Sequence, residues 1–249
     1  MIQVRQITKR FGDHLVLDGV SFDVPAGESV AIVGRSGVGK SVLLKHLIGL
    51  VQPDEGQVLV GGENLGAMSE RQLLRVRRRF GMLFQGGALL DSMTVAENIA
   101  FPLRGREAHD DASTQRRIAE VLELVELPGI EQKLPSQLSG GMQKRVALAR
   151  AIVHRPEIVL YDEPTTGLDP VVADSIDQLM MRVCERLNVT SIVVTHDMRT
   201  ARRLGRRILM MKAGRIYLDD TAEHVFMSLD PVVRRFVDGV ADLKEVEFP

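Results

Sequence analysis

The stretch SVAIVGRSGVGKSVLLKHLIGL constrains the fold more than any other part of the chain. A short apolar run ends in a glycine-rich loop. The loop opens directly into an amphipathic helix, which Gly49 and Pro53 bring to a close. GRSGVGKS, Gly34 to Ser41, fits the phosphate-loop pattern in the strand–loop–helix setting that the pattern requires. Gly34, Gly37 and Gly39 let the backbone wrap an anion, with Arg35, Ser36, Val38 and Val42 completing the cradle. Lys40 is placed to neutralise the β- and γ-phosphates of a nucleotide, and Ser41 to ligate Mg2+. A buried strand of this kind calls for parallel neighbours and for helices on both faces.

A second apolar run, IVLYDEP, ends in Asp162 and Glu163. A buried strand points Asp162 toward the metal at its carboxyl end, and Glu163 then stands as general base to orient or deprotonate an attacking water. Alone, an acid pair closing a strand is common in solvated turns; beside a phosphate loop it points to hydrolysis. LSGGM, Leu138 to Met142, opens the helix MQKRVALARAI and offers backbone N–H groups, a hydroxyl and a helix N-terminus to an anion. Two anion-seeking elements in one chain imply a nucleotide held between two copies of it. Gln85 leaves the core after RFGMLF, where an uncharged amide can touch Mg2+ or the water. His196 closes the run SIVVTH, and its imidazole is placed to hydrogen-bond a γ-phosphate. An exposed loop glutamine and a structural histidine are the plainer readings of these two.

The remaining patterns set the architecture. IQVRQITKRF and LVLDGVSFDV alternate like strands around a turn at Gly12-Asp13-His14, as a β-meander leading into SVAIVG. GQVLVGG and RRFGMLFQ read as further strands. From about Gly86 to Arg155 the periodicity turns helical, through TVAENIAFPLR, ASTQRRIAEVLELVEL and GMQKRVALARAIVH. Strands then return as EIVLYDEP, TSIVVTH, RRILMMKAG and GRIYLDD, alternating with VVADSIDQLMMRVCERL. The expectation is an α/β fold with a mainly parallel sheet, an inserted helical lobe, and a tail from Thr221 with two short helical stretches.

Net charge is −1 and aromatic residues make up 4% of the chain, which argues against a nucleic-acid partner. The single cysteine, Cys184, excludes an internal disulfide and reads as a small buried residue. No segment approaches the roughly 20 apolar residues of a membrane span, and the N-terminus lacks the apolar stretch of a signal peptide. The expected location is the cytoplasm, with any channel supplied by another polypeptide. RQLLRVRRRF, Arg71 to Phe80, concentrates five arginines; a basic helix face in solvent is the default, with anionic lipid headgroups as the alternative.

The phosphate loop, Gln85, LSGGM, IVLYDEP, Gly167-Leu168-Asp169-Pro170 and His196 occur in the order found in ATP-binding cassette ATPase subunits, which the chain resembles to about residue 220. The resemblance implies an ATPase using ATP and Mg2+, on a P-loop NTPase (RecA-like) core with an N-terminal antiparallel β subdomain and an inserted α-helical subdomain. The implied division is core at 1–85 and 156–220, helical subdomain at 86–155, and tail at 221–249. It further implies that Ser139, Gly140 and Gly141 contact the γ-phosphate of ATP on a partner copy. Asp169 lies across that interface, and Phe11 stacks on adenine, where many members have Tyr. The family's signature usually ends in Gln, whereas Met142 stands here, followed by Gln143; Met lacks a strong hydrogen-bonding group.

GALLDSMTVAENIAFPLR, LSGGM and the tail DPVVRRFVDGVAD resemble the ATPase subunits of Mla-type phospholipid transporters. This implies a pair of subunits on the cytoplasmic face of a bacterial inner membrane, beneath a permease. An MCE lipid-binding protein and a small STAS-domain protein are the further implied partners. Some of Leu89, Leu90, Met93 and Phe101 form the core of the helical lobe, and Phe236, Val240 and Phe248 dock either on the partner copy or on their own domain. An importer of amino acids or another small solute is the alternative, and a soluble cassette ATPase acting on nucleic acid or ribosomes a more distant one.

Overall fold

The structure is a computed structural model and describes residues 1–104 and 111–240. In chain order it runs β1 (Ile2–Phe11), β2 (His14–Val24), β3 (Ser29–Val33), α1 (Lys40–Leu47), β4 (Glu55–Val60), β5 (Glu63–Asn64), α2 (Glu70–Arg77), β6 (Phe80–Leu83), α3 (Val95–Ala100) and α4 (Asp111–Leu124). There follow α5 (Gly140–Ile152), β7 (Ile158–Asp162), α6 (Pro170–Leu187), β8 (Thr190–Thr195), α7 (Met198–Leu204), β9 (Arg207–Lys212), β10 (Arg215–Thr221), α8 (Ala222–Met227) and α9 (Pro231–Val237).

Two sheets form. The smaller is antiparallel, in the order β2-β1-β4-β5; the larger has the order β10-β9-β3-β8-β7-β6. In the larger sheet β9, β3, β8, β7 and β6 are parallel, and β10 closes one edge antiparallel to β9. Alternation explains why its strands read as unbroken apolar runs. Ala31, Val33, Val159, Tyr161 and Val193 point into one core, whereas Val30, Ile32, Ile158, Leu160, Ile192 and Val194 point into the other. The first core is shared with α3 to α7, and the second with the small sheet, α1 and α2. The buried Tyr161 hydroxyl lies 3.1 Å from Cys184 Sγ, so the lone cysteine is a packing residue.

The strand order positions the site. β3, β8, β7 and β6 are consecutive neighbours, so the loops leaving their carboxyl ends emerge side by side. Those ends carry the phosphate loop, His196, the two acids and Gln85.

Two local expectations are corrected. TVAENIAFPLR is α-helical only over Val95–Ala100, and Phe101–Leu103 tightens into a 3-10 turn, because Pro102 has no N–H to continue the ladder. Of the five clustered arginines, Arg77 donates to the Ile48 and Gly49 carbonyls, and Arg79 grips Glu157. Both therefore anchor structure instead of forming a free basic face. In the lobe, Leu89 packs on the core, whereas Leu90 and Phe101 are exposed. Among the described residues no helix is long and apolar enough to cross a membrane. The tail does form two short helices, with Phe236 packed on the first core and Val240 exposed; Phe248 lies outside the described residues.

Gly81 shows how tightly β6 meets α5. A methyl group there would run into the Ala151 backbone carbonyl. Gly81→Ala should therefore lose about 1–3 kcal/mol of stability, read as a lower urea midpoint at unchanged m-value.

Candidate nucleotide site

A cavity of about 930 Å3 opens at the carboxyl edge of the large sheet. Arg35 to Val42, Gln85, Glu163 and His196 line it, together with Val16 and Met210 to Lys212. The loop keeps its shape through glycines that side chains cannot replace. Gly39 sits at φ 99°, and a methyl on it would come within 2.9 Å of the Val16 carbonyl oxygen. The Lys40 ammonium is folded back over the loop, donating to the Gly34 carbonyl at 2.8 Å and the Arg35 carbonyl at 3.0 Å.

Lys40 Nζ also lies 3.6 Å from Glu163 Oε1. Burial lowers the pKa of Lys40, and the charges of Glu163 and Asp162 partly offset it. Ser41 donates its hydroxyl to Asp162 Oδ1 at 2.8 Å. Burial raises the Asp162 pKa, opposed by the Ser41 hydroxyl and reinforced by the charge of Glu163.

Glu163 is buried and adopts a left-handed backbone, φ 47°, a conformation costing roughly 1–2 kcal/mol for a residue with a Cβ. Its N–H is held by the Val194 carbonyl at 2.9 Å. That twist turns the carboxylate into the cavity, where Oε2 lies 2.8 Å from His196 Nδ1 and accepts from Thr166 Oγ1 at 3.2 Å. His196 thus touches the acid expected to be the base, a contact not anticipated from the sequence. Two residues after Glu163, Thr165 Oγ1 lies 3.3 Å from Thr200 Oγ1, which donates to the buried Asp177 at 2.7 Å. The other Asp177 oxygen has no hydrogen-bond partner.

The loop after β6 is held by buried side chains that sequence reasoning missed. Lys144 donates to the Gln85 carbonyl, and Arg150 to the Gly87 and Ala88 carbonyls at 2.7 and 2.6 Å. Asn98 accepts from the Leu90 N–H and donates to the carbonyls of Leu90, Met93 and Thr94. The available signal was cations and an amide interrupting otherwise apolar helical faces, in KRVALARAI and VAENIA.

Several expected site residues stand apart from this cavity. Ser139 caps α5 by accepting from the Met142 N–H at 3.3 Å. Asp169 caps α6 through the Val171 and Val172 N–H groups, both at 3.0 Å. The two helix starts adjoin, since a methyl on Gly141 would come within 2.8 Å of Val172 Cγ1. Ser139, Gly140 and Asp169 are exposed, available to something outside their own chain. Phe11 is half-exposed at a strand end, with the Lys9 ammonium 5.5 Å from its ring centre; it does not line the cavity. Phe236 and Val240 of the tail do line it.

The residues suit a magnesium nucleotide. Ser41 and Asp162 offer hard oxygen donors beside a polyanion cradle with one lysine. Among the described residues no cluster of three or more His, Cys, Asp or Glu forms a self-sufficient metal cage. That is the donor poverty Mg2+ tolerates when water and phosphate complete its shell.

A family model described as ABC transporter matches residues 17–166. The chain is 41% identical over 238 residues to the probable ribonucleotide transport ATP-binding protein mkl of Mycobacterium leprae, covering 96% of this chain and 69% of that one. It is 39% identical to the methionine import ATP-binding protein MetN of Geobacillus kaustophilus, covering 99% and 73%. It is 37% identical to the intermembrane phospholipid transport system ATP-binding protein MlaF of Escherichia coli K12, covering 97% and 90%. Among solved structures it is similar to the dimeric post-hydrolysis state of the ATP-binding cassette MJ0796 bound to ADP and Pi. The TM-score there is 0.81 at 34% identity, over 89% of this chain and 99% of that one.

Burial raises the Asp177 pKa to about 6, against an ordinary 3.8. Because the folded value is the higher, its contribution to stability is complete below 3.8 and is lost as pH rises through about 6. The unfolding free energy of the wild type minus that of Asp177→Asn, measured by urea titration across pH, should fall through that window.

Proposed function

The chain belongs to the ABC transporter family as an ATP-hydrolysing subunit, and from that premise we propose that it energises phospholipid movement between inner and outer membranes through a separate permease and an MCE lipid-binding protein. The observation that carries this reading is the likeness to the intermembrane phospholipid transport protein along almost all of the chain. GALLDSMTVAENIAFPLR, LSGGM and the tail add to it. A small STAS-domain protein on the helical segment 86–155 is the further partner, and the subunit sits peripherally at the cytoplasmic face of the inner membrane. The comparable likeness to a methionine import protein favours a second reading, import of an amino acid or similar solute by the same ATPase.

In the proposed cycle two copies pack so that the phosphate loop of one faces Ser139 to Gly141 of the other. The exposure of that helix start, away from its own cavity, supports this arrangement, with Asp169 at the same interface. Lys40 releases the loop carbonyls and donates to phosphate oxygens instead. The N–H groups of Gly37 to Ser41 and of the opposing helix start hold the remaining anionic oxygens. Ser41 and Asp162, with Gln85, would hold Mg2+, which when bound would supply charge neutralisation for the transferring phosphoryl group. Glu163, steadied by His196 and Thr166, accepts the proton of the attacking water. Phe11 is the residue proposed to stack on adenine, although it does not line the cavity. Separation of the copies after hydrolysis moves the helical segments against the permease, a nucleotide-dependent population shift.

Glu163→Gln should bind ATP, slow turnover by roughly a hundredfold or more, and accumulate as an ATP-bound dimer in size-exclusion chromatography. Near-normal hydrolysis would remove Glu163 from its role. Purified with its membrane partners, the complex should carry phospholipid and an MCE protein; a solute-binding protein in their place would establish the importer reading.

A further inference from the structure

We propose that Lys144 and Arg150 are positioning residues that hold the Gln85–Ala88 loop by its backbone carbonyls and so aim Gln85 into the nucleotide cavity. The inference rests on the reading that Gln85 serves the ATPase site.

Both cations lie on α5, and both are nearly sealed from solvent, Lys144 at 7% and Arg150 at 9% exposure. A buried cation is ordinarily paired with an acid, because desolvating an unpaired charge is expensive. Neither has a carboxylate partner among the described residues. Their charged donors are directed instead at the carbonyls of Gln85, Gly87 and Ala88. Burial alone lowers both pKa values, with no acid to oppose it. An apolar residue of similar length would fill either position at lower cost, so packing does not explain them.

The loop they hold is unusual in shape. Gly87 and Ala88 are both left-handed, φ 74° and 49°, and Ala88 has a Cβ that resists that conformation. Asn98 fastens the segment downstream through Leu90, Met93 and Thr94. The loop is thus tied to helices on both sides, and Gln85, at its first residue, is the part left exposed in the cavity. The helix carrying both cations is capped by Ser139, which is exposed and does not line its own cavity. A displacement of α5 by whatever engages Ser139 therefore reaches Gln85 through two charge-assisted hydrogen-bonding groups.

The test uses the full-length ATPase with Lys144→Met, Gln85→Ala and the double variant. Hydrogen exchange of the Gly87 amide, which donates to the Phe84 carbonyl, should speed up by about tenfold or more in Lys144→Met, as expected for a local opening. Its kcat should fall by about tenfold while KM for ATP stays within about twofold. The double variant should be no slower than Gln85→Ala alone, because both changes remove the same contribution. Unchanged exchange in Lys144→Met would overturn the proposal, as would losses that multiply in the double variant. If Gln85→Ala turns over normally, the reading of Gln85 falls, and the exchange experiment still decides whether Lys144 holds the loop. Should Lys144→Met fail to fold, Arg150→Met and Lys144→Leu, which likewise remove the donors, take its place with the same exchange criterion.

Discussion

The parallel pairing of β3, β8, β7 and β6 is the constraint on which the rest of the molecule depends. The strands are covered on both faces and so are apolar through their middles, with the polar Thr190, Ser191 and Thr195 of β8 confined to its ends. Polar chemistry can begin only where a strand leaves the sheet. Pairing in register, Val33 with Thr195 and Asp162 with Val194, brings those exits to one edge at one level. The phosphate loop, the acids, His196 and Gln85 are thereby assembled from segments distant in the chain. A one-residue slip of β7 would move Glu163 out of the cavity and reverse every side chain on the strand.

At that edge the stabilising contacts are short-range and charged. Lys40 is shared between loop carbonyls and Glu163, Asp162 takes the Ser41 hydroxyl, and Glu163 is steadied by His196 and Thr166. The left-handed turn at Glu163 is the local strain that such an arrangement carries.

The sequence legibly encodes what is local or periodic. GRSGVGKS, IVLYDEP and LSGGM announce a loop, a strand end and a helix start because glycine, acid and cap chemistry act within a few residues. The apolar runs announce buried strands for the same reason. TVAENIAFPLR keeps helical spacing past Ala100, and only Pro102 tightens the last turn. The place of Phe11 in the order of motifs suggests an adenine contact, yet whether a strand-end ring enters a cavity depends on the path of neighbouring loops. Lys144 and Arg150 look like ordinary solvated positions of a charged helix until α5 is packed against the loop after β6.

The chain alone therefore determined the nucleotide chemistry, the order of its elements and the pairing of a phosphate cradle with two acids, because these follow from residue types a few positions apart. Tertiary structure decided how those residues meet. It set His196 on Glu163, placed two buried cations on the carbonyls behind Gln85, and turned the Ser139 and Asp169 helix starts outward. It also brought Phe236 of the tail to the cavity wall and left Phe11 outside. These outcomes depend on burial and on contacts between residues remote in the chain, and neither burial nor such contacts can be read from spacing.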